Sequence, residues 1–366
     1  MSESRLFKPL RLGAIELKHR IAMAPLTRFR ASDDHVILPI AKDYYGQRAS
    51  VPGTLLITEA TYISQQHGGY PNVPGIYNQA QIDAWKNVTD EVHKKGSFIY
   101  LQLWALGRVA NKEFAQAHGI TVKSSSAAQL SDDLAVPKEM THDDIKETVA
   151  TYAQAAKNAI AAGFDGVEIH GANGYLIDQF IQDTCNKRTD SYGGSVENRS
   201  RFAVEVTQAV VDAVGADRTG IRLSPFSDFQ GMKMKDPLPQ FSDVLKKLNS
   251  FNLSYVHLVE SRVSGNADVE SFDSLNPLLP LYNGPVLLAG GFKPDSAAKL
   301  MEDHKARDVV VVFGRYFIST PDLVFRLEKG IELNPYNRDT FYKAKSEEGY
   351  TDYPFSKEFE QVQASL

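Results

Sequence analysis

The segment from His170 to Tyr175 carries the side chains best suited to chemistry. His170 and Asn173 are three residues apart at the expected junction of a strand and a turn, so both can donate hydrogen bonds to one acceptor oxygen. Gly174 permits close approach to Tyr175, whose ordinary pKa of about 10 keeps the phenol protonated at neutral pH. The pattern is typical of a site that polarises a carbonyl and protonates the neighbouring carbon. A histidine that caps a turn and a tyrosine that packs in the core would explain it equally well.

Two glycine-containing pairs late in the chain are suited to phosphate. Gly290–Gly291 and Gly314–Arg315 follow the seventh and eighth apolar runs, which is where α/β barrels commonly bind phosphate groups. Bare backbone N–H groups and a guanidinium fork are donors that a phosphate dianion accepts. Tight turns alone would also account for the glycines.

Arg222, near the end of the fifth run, would bring a fixed positive charge to the same region. A cation there favours the reduction of a flavin, which gains negative charge, although a structural ion pair is an equal alternative. The run ends lack a histidine and carboxylate cluster for zinc, a lysine for a Schiff base and a carboxylate pair for glycoside cleavage. Glu59 stands alone there, which leaves Glu59 or His170 as the base of a flavin-free hydrolase or lyase.

Eight short apolar runs rich in β-branched residues must position these side chains. The runs cover residues 21–26, 54–63, 98–104, 166–171, 219–225, 255–261, 285–291 and 309–315. Nearly continuous apolar runs are typical of parallel strands buried on both faces. Because helical periodicity separates most of them and the composition shows no break, the sequence predicts one closed (β/α)8 TIM barrel over residues 1–366.

Helices and two additions to the barrel are also predicted. Helical faces recur within 82–92 and 145–160, and further helices fit 196–214, 241–251, 294–302 and 321–329, the last two opening with proline. Residues 6–17, with a turn at Gly13–Ala14, predict an N-terminal hairpin that closes the barrel floor. Residues 107–140 form a polar stretch after the third strand that is too long for a simple loop, which predicts a lid or a small excursion.

Composition limits the class of protein. The 366 residues include 40 Lys+Arg and 45 Asp+Glu, a net charge of −5 without a long basic run, which argues against nucleic-acid binding. Cys185 is the sole cysteine and cannot form an internal disulfide, so a reducing compartment is expected. The first residues lack the apolar core of a secretory signal, and no apolar stretch reaches about 18 residues. A cytoplasmic protein that does not enter a membrane is therefore predicted.

Motifs spread along the chain resemble the Old Yellow Enzyme family. They are MAPLTR at 23–28, QLW at 102–104, HGANGY at 170–175, NKRTD at 186–190, YGGSVENR at 192–199 and FGRYFI at 313–318. The resemblance extends from residue 6 to about residue 354. It is closest to the classical fungal branch, which includes reductases of chanoclavine-I aldehyde in alkaloid pathways.

This resemblance implies a barrel with non-covalent FMN that acts as an NADPH dehydrogenase or ene-reductase. NADPH would reduce FMN, and an activated alkene such as an α,β-unsaturated carbonyl compound or nitroalkene would then be reduced in the same pocket, which gives ping-pong kinetics. The small-molecule alkene is the only partner implied, and the chain would be a monomer or homodimer. Alternatives are a dedicated aldehyde reductase of fungal secondary metabolism and a flavin-binding protein without turnover.

The resemblance also implies roles for individual residues. His170 and Asn173 would bind the carbonyl oxygen of the substrate, and Tyr175 would donate a proton. Cofactor contacts are expected from Pro25, Thr27, Ala60, Gln102, Arg222, Gly290, Gly291, Gly314 and Arg315, and the substrate pocket from Tyr70, Trp104, Phe229 and Tyr342. Since some alkaloid-pathway relatives that isomerise carry Phe in place of Tyr175, this chain is predicted to reduce. Gly291 stands where several relatives have asparagine, so the chain departs from the family pattern at one phosphate or substrate-side contact.

Overall fold

Each of the eight predicted apolar runs contains a strand. The computed structural model describes residues 4–261, 263, 264, 267, 268 and 273–365. The barrel strands are β1 (Ile21–Met23), β2 (Leu55–Ile57), β3 (Phe98–Trp104), β4 (Gly166–His170), β5 (Thr219–Leu223), β6 (Tyr255–Val259), β7 (Val286–Ala289) and β8 (Val309–Phe313). Most are shorter than the predicted runs because the last residues of those runs leave the sheet.

Parallel pairing closes the sheet into a barrel. Successive strands pair side by side from β1 to β8. β8 then pairs with β1, with Val311 opposite Ile21 and Phe313 opposite Met23. The predicted (β/α)8 barrel is confirmed, and the carboxyl ends of all eight strands meet at one rim.

Helices surround the barrel. They are α1 (Ile40–Arg48), α2 (Gln79–Lys94), α3 (Lys112–Ala117), α4 (His142–Ala161), α5 (Leu176–Ile181), α6 (Val196–Val214), α7 (Pro237–Leu248), α8 (Pro294–Asp303), α9 (Arg315–Ser319), α10 (Leu323–Lys329) and α11 (Lys357–Ala364). Side-chain caps begin several of them: Asn78 and Gln81 form a capping box at α2, and Thr141 and Asp144 form one at α4.

The sequence patterns did not predict every element. Residues 54–63 form β2 and a separate short strand, Thr61–Tyr62, because the chain leaves the ladder between them: the hydroxyls of Thr58 and Thr61 both donate to the Glu59 carbonyl, each at 2.9 Å. α1, α3, α5, α9 and α11 were not predicted. α10 begins at Leu323, so Pro321 precedes the helix instead of opening it.

The predicted N-terminal hairpin lies inside one end of the barrel. Leu10–Leu12 pairs antiparallel with Ile15–Leu17. The leucines and isoleucines of the hairpin are buried in one cluster with strand residues that face the barrel axis, including Leu55, Tyr100 and Val310. The hairpin therefore fills the end of the barrel opposite the carboxyl rim.

The predicted excursion after β3 has little regular structure. Residues 107–140 contain a short 3₁₀ turn, α3 and the two-residue strands Lys123–Ser124 and Lys138–Glu139, which pair in parallel. Arg188 anchors this excursion, because its guanidinium donates to the carbonyls of Ser125 at 3.0 Å and Met140 at 2.7 Å.

Candidate active site

A cavity of about 400 Å³ opens at the carboxyl rim of the barrel. Fifteen of the sixteen predicted site residues line it: Pro25, Thr27, Ala60, Gln102, Trp104, His170, Asn173, Tyr175, Arg222, Phe229, Gly290, Gly291, Gly314, Arg315 and Tyr342. The barrel thus brings predicted residues from seven of its eight strands, or from the turns after them, to one cavity.

Tyr70 is the predicted pocket residue that does not line this cavity. Its ring stacks beside Trp104 with centroids 6.5 Å apart, and its hydroxyl donates to the carbonyl of Val109 at 2.7 Å. Tyr70 therefore supports the cavity wall through Trp104, and its contacts are with protein groups.

The rings of His170, Tyr175 and Trp104 form one aromatic cluster. The centroid of Tyr175 lies 4.9 Å from that of His170 and 4.8 Å from that of Trp104, both in edge-to-face geometry. Such pairs hold the tyrosine ring in one orientation. The phenol and the imidazole consequently face the same part of the cavity.

His170 is neutral and presents an N–H donor. Burial and the neighbouring positive charge of Arg222 lower the pKa of His170 well below its usual value. The backbone N–H of Ala172 donates to Nδ1 at 3.4 Å, so Nδ1 acts as the acceptor and the ring proton belongs on Nε2. His170 can therefore donate a hydrogen bond without carrying charge.

Tyr175 remains protonated across the physiological range. Burial raises the pKa of the phenol above its ordinary value, and a hydrogen bond with Gln230 and the positive charge of Arg222 offset only part of this rise. A phenol that keeps its proton can deliver it to a strongly basic carbon.

The turn between His170 and Tyr175 is held by surrounding polar groups. Asn173 adopts a left-handed backbone conformation with φ of 59°, its N–H donates to Ser224 Oγ at 2.8 Å, and its carbonyl accepts from Gln230 Nε2 at 3.0 Å. The N–H of Gly174 donates to Asp178 Oδ2 at 2.9 Å. These bonds stabilise a backbone geometry that asparagine tolerates better than most residues.

A buried polar network lies beneath the centre of the cavity. Gln102 Nε2 donates to Glu168 Oε1 at 2.8 Å, and the second carboxylate oxygen pairs with His257 Nδ1 at 2.8 Å. Burial acts to raise the pKa of Glu168, but the attraction of His257 and Arg222 outweighs it and the net shift is downward. Glu168 is thus a carboxylate. The side-chain NH2 group of Gln102 donates to Glu168, so the Oε1 atom of Gln102 remains able to accept a hydrogen bond.

Glu168 and His257 were not predicted as functional residues. A charged residue within the apolar run 166–171 and a histidine within 255–261 were the available signals. Both side chains are fully buried. Their placement indicates that the network orients Gln102 and balances the charge of Arg222.

Other residues that the sequence analysis missed line the cavity between the predicted ones. They are Ala24, Leu26, Val259, Ala289, Phe292, Val312, Tyr316, Ile318 and Phe341. Most are sequence neighbours of predicted residues at the strand ends, so including one or two more residues at each strand end would have identified them. Phe341 follows none of the barrel strands and carried no local signal.

The donor set suits a flavin with a phosphate group. Arg222 Nε is buried and has no hydrogen-bond partner among the residues described here, so a ligand acceptor would satisfy it. At the rim, Gly291 has a φ of 65°, and a Cβ on Gly290 would lie 2.4 Å from Glu260 Cβ. A Cβ does not fit at position 290, and the left-handed backbone at position 291 favours glycine. Arg315 also lines the cavity.

Glu59 does not line the cavity. It is 1% exposed, accepts a hydrogen bond from the Tyr45 hydroxyl at 3.3 Å, and burial raises its pKa to about 7. The alternative of a flavin-free hydrolase with Glu59 as its base therefore lacks the required geometry.

The described part of the chain contains no group of three or more His, Cys, Asp or Glu residues placed to hold a metal ion. Within the same residues, no helix has the length and apolar character needed to cross a bilayer.

Comparison with known sequences decides the family. The sequence model described as "NADH:flavin oxidoreductase / NADH oxidase family" matches residues 5–334. The chain belongs to this flavin oxidoreductase family. Like an FMN-dependent oxidoreductase of that family, it presents a cavity with flavin-compatible donors at the carboxyl rim of its barrel.

Individual members of the flavin oxidoreductase family are similar over nearly the whole chain. A chanoclavine-I aldehyde reductase of Penicillium roqueforti (strain FM164) is 59% identical over 98% of each chain. An NADP-dependent oxidoreductase of Aspergillus flavus is 54% identical over 96% of this chain and 97% of its own. The crystal structure of Old Yellow Enzyme from Pichia sp. AKU4542 superposes with a TM-score of 0.91 at 42% identity, covering 97% of this chain and 95% of that one. The predicted resemblance to the Old Yellow Enzyme family is confirmed.

Proposed function

We propose that this protein is an FMN-dependent ene-reductase that uses NADPH to reduce the C=C bond of an α,β-unsaturated carbonyl compound or nitroalkene. The observation that carries this proposal is the meeting of His170, Asn173 and Tyr175 in the cavity that Gln102 and Arg222 also line. A proton donor and carbonyl-binding groups beside a flavin-compatible surface are the parts that alkene reduction needs.

The chain's own residues would hold FMN through both ends of the molecule. Gln102 Oε1 would accept from the pyrimidine edge, Arg222 would face the part of the ring that becomes negative on reduction, and Thr27 would donate to a ring oxygen. Gly290, Gly291, Gly314 and Arg315 would bind the phosphate, while Pro25 and Ala60 would pack against the ring system. When bound, FMN supplies hydride transfer, from NADPH in one half-reaction and to the β-carbon of the alkene in the other.

The substrate would be activated through its oxygen. His170 Nε2–H and the Asn173 amide would donate to the carbonyl oxygen, and these bonds strengthen as negative charge develops there. A neutral histidine is suited to this role because it donates a hydrogen bond to the oxygen without placing a positive charge beside it. Tyr175 would then transfer its hydroxyl proton to the α-carbon.

A dedicated aldehyde reductase of fungal secondary metabolism is the second candidate. Its support is the 59% identity to a chanoclavine-I aldehyde reductase across the whole chain. It uses the same residues and chemistry and differs only in the identity of the unsaturated aldehyde. The name of the Aspergillus relative supports an NADP(H) donor in both cases.

A visible absorption scan tests the proposal. The purified protein is expected to show a flavin spectrum that bleaches with anaerobic NADPH and returns when 2-cyclohexenone is added. NADH at the same concentration serves as the control for the choice of donor. Bleaching without recovery would indicate a flavin-binding protein that does not turn over alkenes. A colourless protein that FMN does not reconstitute would overturn the proposal.

A further inference from the structure

One wall of the cavity comes from a segment outside the barrel. Residues 340–350, here called the strap, include Phe341 and Tyr342, which both line the cavity. Tyr342 is 48% exposed, so it stands at the mouth, and its ring packs edge-on against Phe29 at 5.7 Å. The strap lies beyond residues 5–334, which the family model matches.

Arg30 uses all of its donors on backbone carbonyls. Its Nη1 donates to Phe341 O at 2.9 Å and to Arg28 O at 2.6 Å, and its Nη2 donates to the carbonyls of Thr340 and Glu348 at 3.1 and 3.0 Å. Its Nε donates to Ser346 O at 2.9 Å. A guanidinium has five N–H groups, and four of the five bonds reach the strap.

Arg28 adds a second anchor from the same loop. Its Nε donates to Phe341 O at 3.0 Å and its Nη2 to Gly349 O at 2.7 Å. The Phe341 carbonyl therefore accepts from both arginines. In the opposite direction, the N–H of Lys345 donates to Phe29 O at 2.9 Å, so loop and strap exchange bonds.

The buried positive charges of Arg28 and Arg30 favour the position of the strap in which its carbonyls accept their hydrogen bonds. Both arginine side chains are completely buried. Burial and the adjacent charge of Arg28 lower the pKa of Arg30 to about 10, which leaves it protonated at neutral pH. If the strap moved away, the buried Arg30 guanidinium would lose four hydrogen-bond acceptors, which costs a large amount of free energy. The ring of Tyr350 adds a cation–π contact, 4.8 Å from the Arg30 guanidinium.

We propose that Arg28 and Arg30 are positioning residues that fix Phe341 and Tyr342 as the substrate-selecting wall of the cavity. Because both wall residues are aromatic and the arginines hold the backbone at Thr340 and Phe341, the wall favours unsaturated aldehydes with a flat apolar or aromatic substituent over small cyclic enones. This inference rests on the proposed function for its substrates, whereas the anchoring itself does not.

Arg30→Lys is the test, because lysine keeps the charge but has only three donors on a single nitrogen. Arg326→Lys is the matched control: Arg326 is also buried and donates to backbone carbonyls, at Glu332 and Pro354, which lie outside the strap. Hydrogen exchange of the strap peptides and KM values for cinnamaldehyde and 2-cyclohexenone are measured on each FMN-loaded variant.

For Arg30→Lys, we expect faster exchange in 340–350 and a rise of about tenfold in KM for cinnamaldehyde, with KM for 2-cyclohexenone within about twofold of wild type. Unchanged exchange, an equal rise for both substrates, or the same selective rise in Arg326→Lys would overturn the proposal.

Tyr342→Ala provides an independent route, because it removes the wall side chain and keeps the backbone carbonyls of the strap. The variant should show the same selective rise in KM for cinnamaldehyde, with normal hydrogen exchange in the rest of the strap. An unchanged KM for cinnamaldehyde would contradict the role of Tyr342 in substrate selection, even if Arg30→Lys does not fold. A wild-type protein that turns over neither substrate would refute the proposed function. The hydrogen-exchange data would still show whether Arg30 holds the strap in place.

Discussion

Replacing Tyr175 with phenylalanine separates proton donation from every other function of the cavity. The variant loses one hydroxyl and keeps the ring that packs against His170 and Trp104 at 4.9 and 4.8 Å. The carbonyl-binding donors of His170 and Asn173 remain. Reduction by NADPH does not require the phenol, whereas protonation of the α-carbon does.

The expected magnitude follows from the chemistry of the lost group. A positioned general acid contributes about 10²- to 10⁴-fold to a rate. Anaerobic stopped-flow absorbance of Tyr175→Phe should therefore show an enone half-reaction slower by about 10²- to 10⁴-fold, with the NADPH half-reaction within about twofold of wild type. Because burial raises the pKa of Tyr175 above its ordinary value, the wild-type enone rate should be flat between about pH 6 and pH 9.

Three results would refute this reasoning. Equal slowing of both half-reactions would mean that the hydroxyl supports the cavity as a whole. Unchanged enone turnover would mean that water or another group supplies the proton. A wild-type enone rate that falls with an apparent pKa between 6 and 9 would also point to a different acid.

Three further outcomes are expected. His170→Ala should weaken the binding of phenol, a mimic of the enolate, by about 1–3 kcal/mol in a spectral titration, and unchanged affinity would contradict its role as an oxygen donor. Arg315→Gln should raise the dissociation constant of FMN by about tenfold or more in a fluorescence titration while leaving that of riboflavin unchanged, since riboflavin lacks the phosphate; equal weakening of both would argue against the phosphate contact. Burial lowers the pKa of His19 to about 4 from an unfolded value of about 6.5, so the unfolded state binds the proton first and stability present above pH 6.5 is lost as the pH falls towards 4. Between pH 7 and pH 4.5, the free energy of unfolding should fall by up to about 3 kcal/mol more in wild type than in His19→Gln, measured by urea denaturation, and identical slopes would exclude this histidine as the cause.

The barrel could be predicted because its signals are local. Each strand is a short apolar run, and parallel strands buried on both faces differ in composition from the polar segments around them. The short helices α1, α5 and α9 could not be predicted in the same way. α5, for example, spans only Leu176–Ile181 and all six of its residues are buried, so it shows no amphipathic periodicity.

The site was predictable where a strand end carries the functional side chain. His170, Gln102 and Arg222 all follow this rule, which is why a list of strand ends located them. Phe341 and Arg30 do not follow it, because their role depends on a contact between residues 311 positions apart. A local sequence pattern cannot reveal such a contact, because the two residues lie far apart in the chain.

That separation has a consequence for the order of folding. Arg28 and Arg30 belong to the turn after β1 and are synthesised early, but the carbonyls that satisfy them belong to residues 340–350. Until those residues leave the ribosome, two guanidinium groups that are completely buried in the folded protein lack most of their acceptors and must stay hydrated. The mouth of the cavity therefore cannot be completed before residues 340–350 are available: a chain with those residues unfolded would expose two cations beside Thr27 and lack a finished substrate wall.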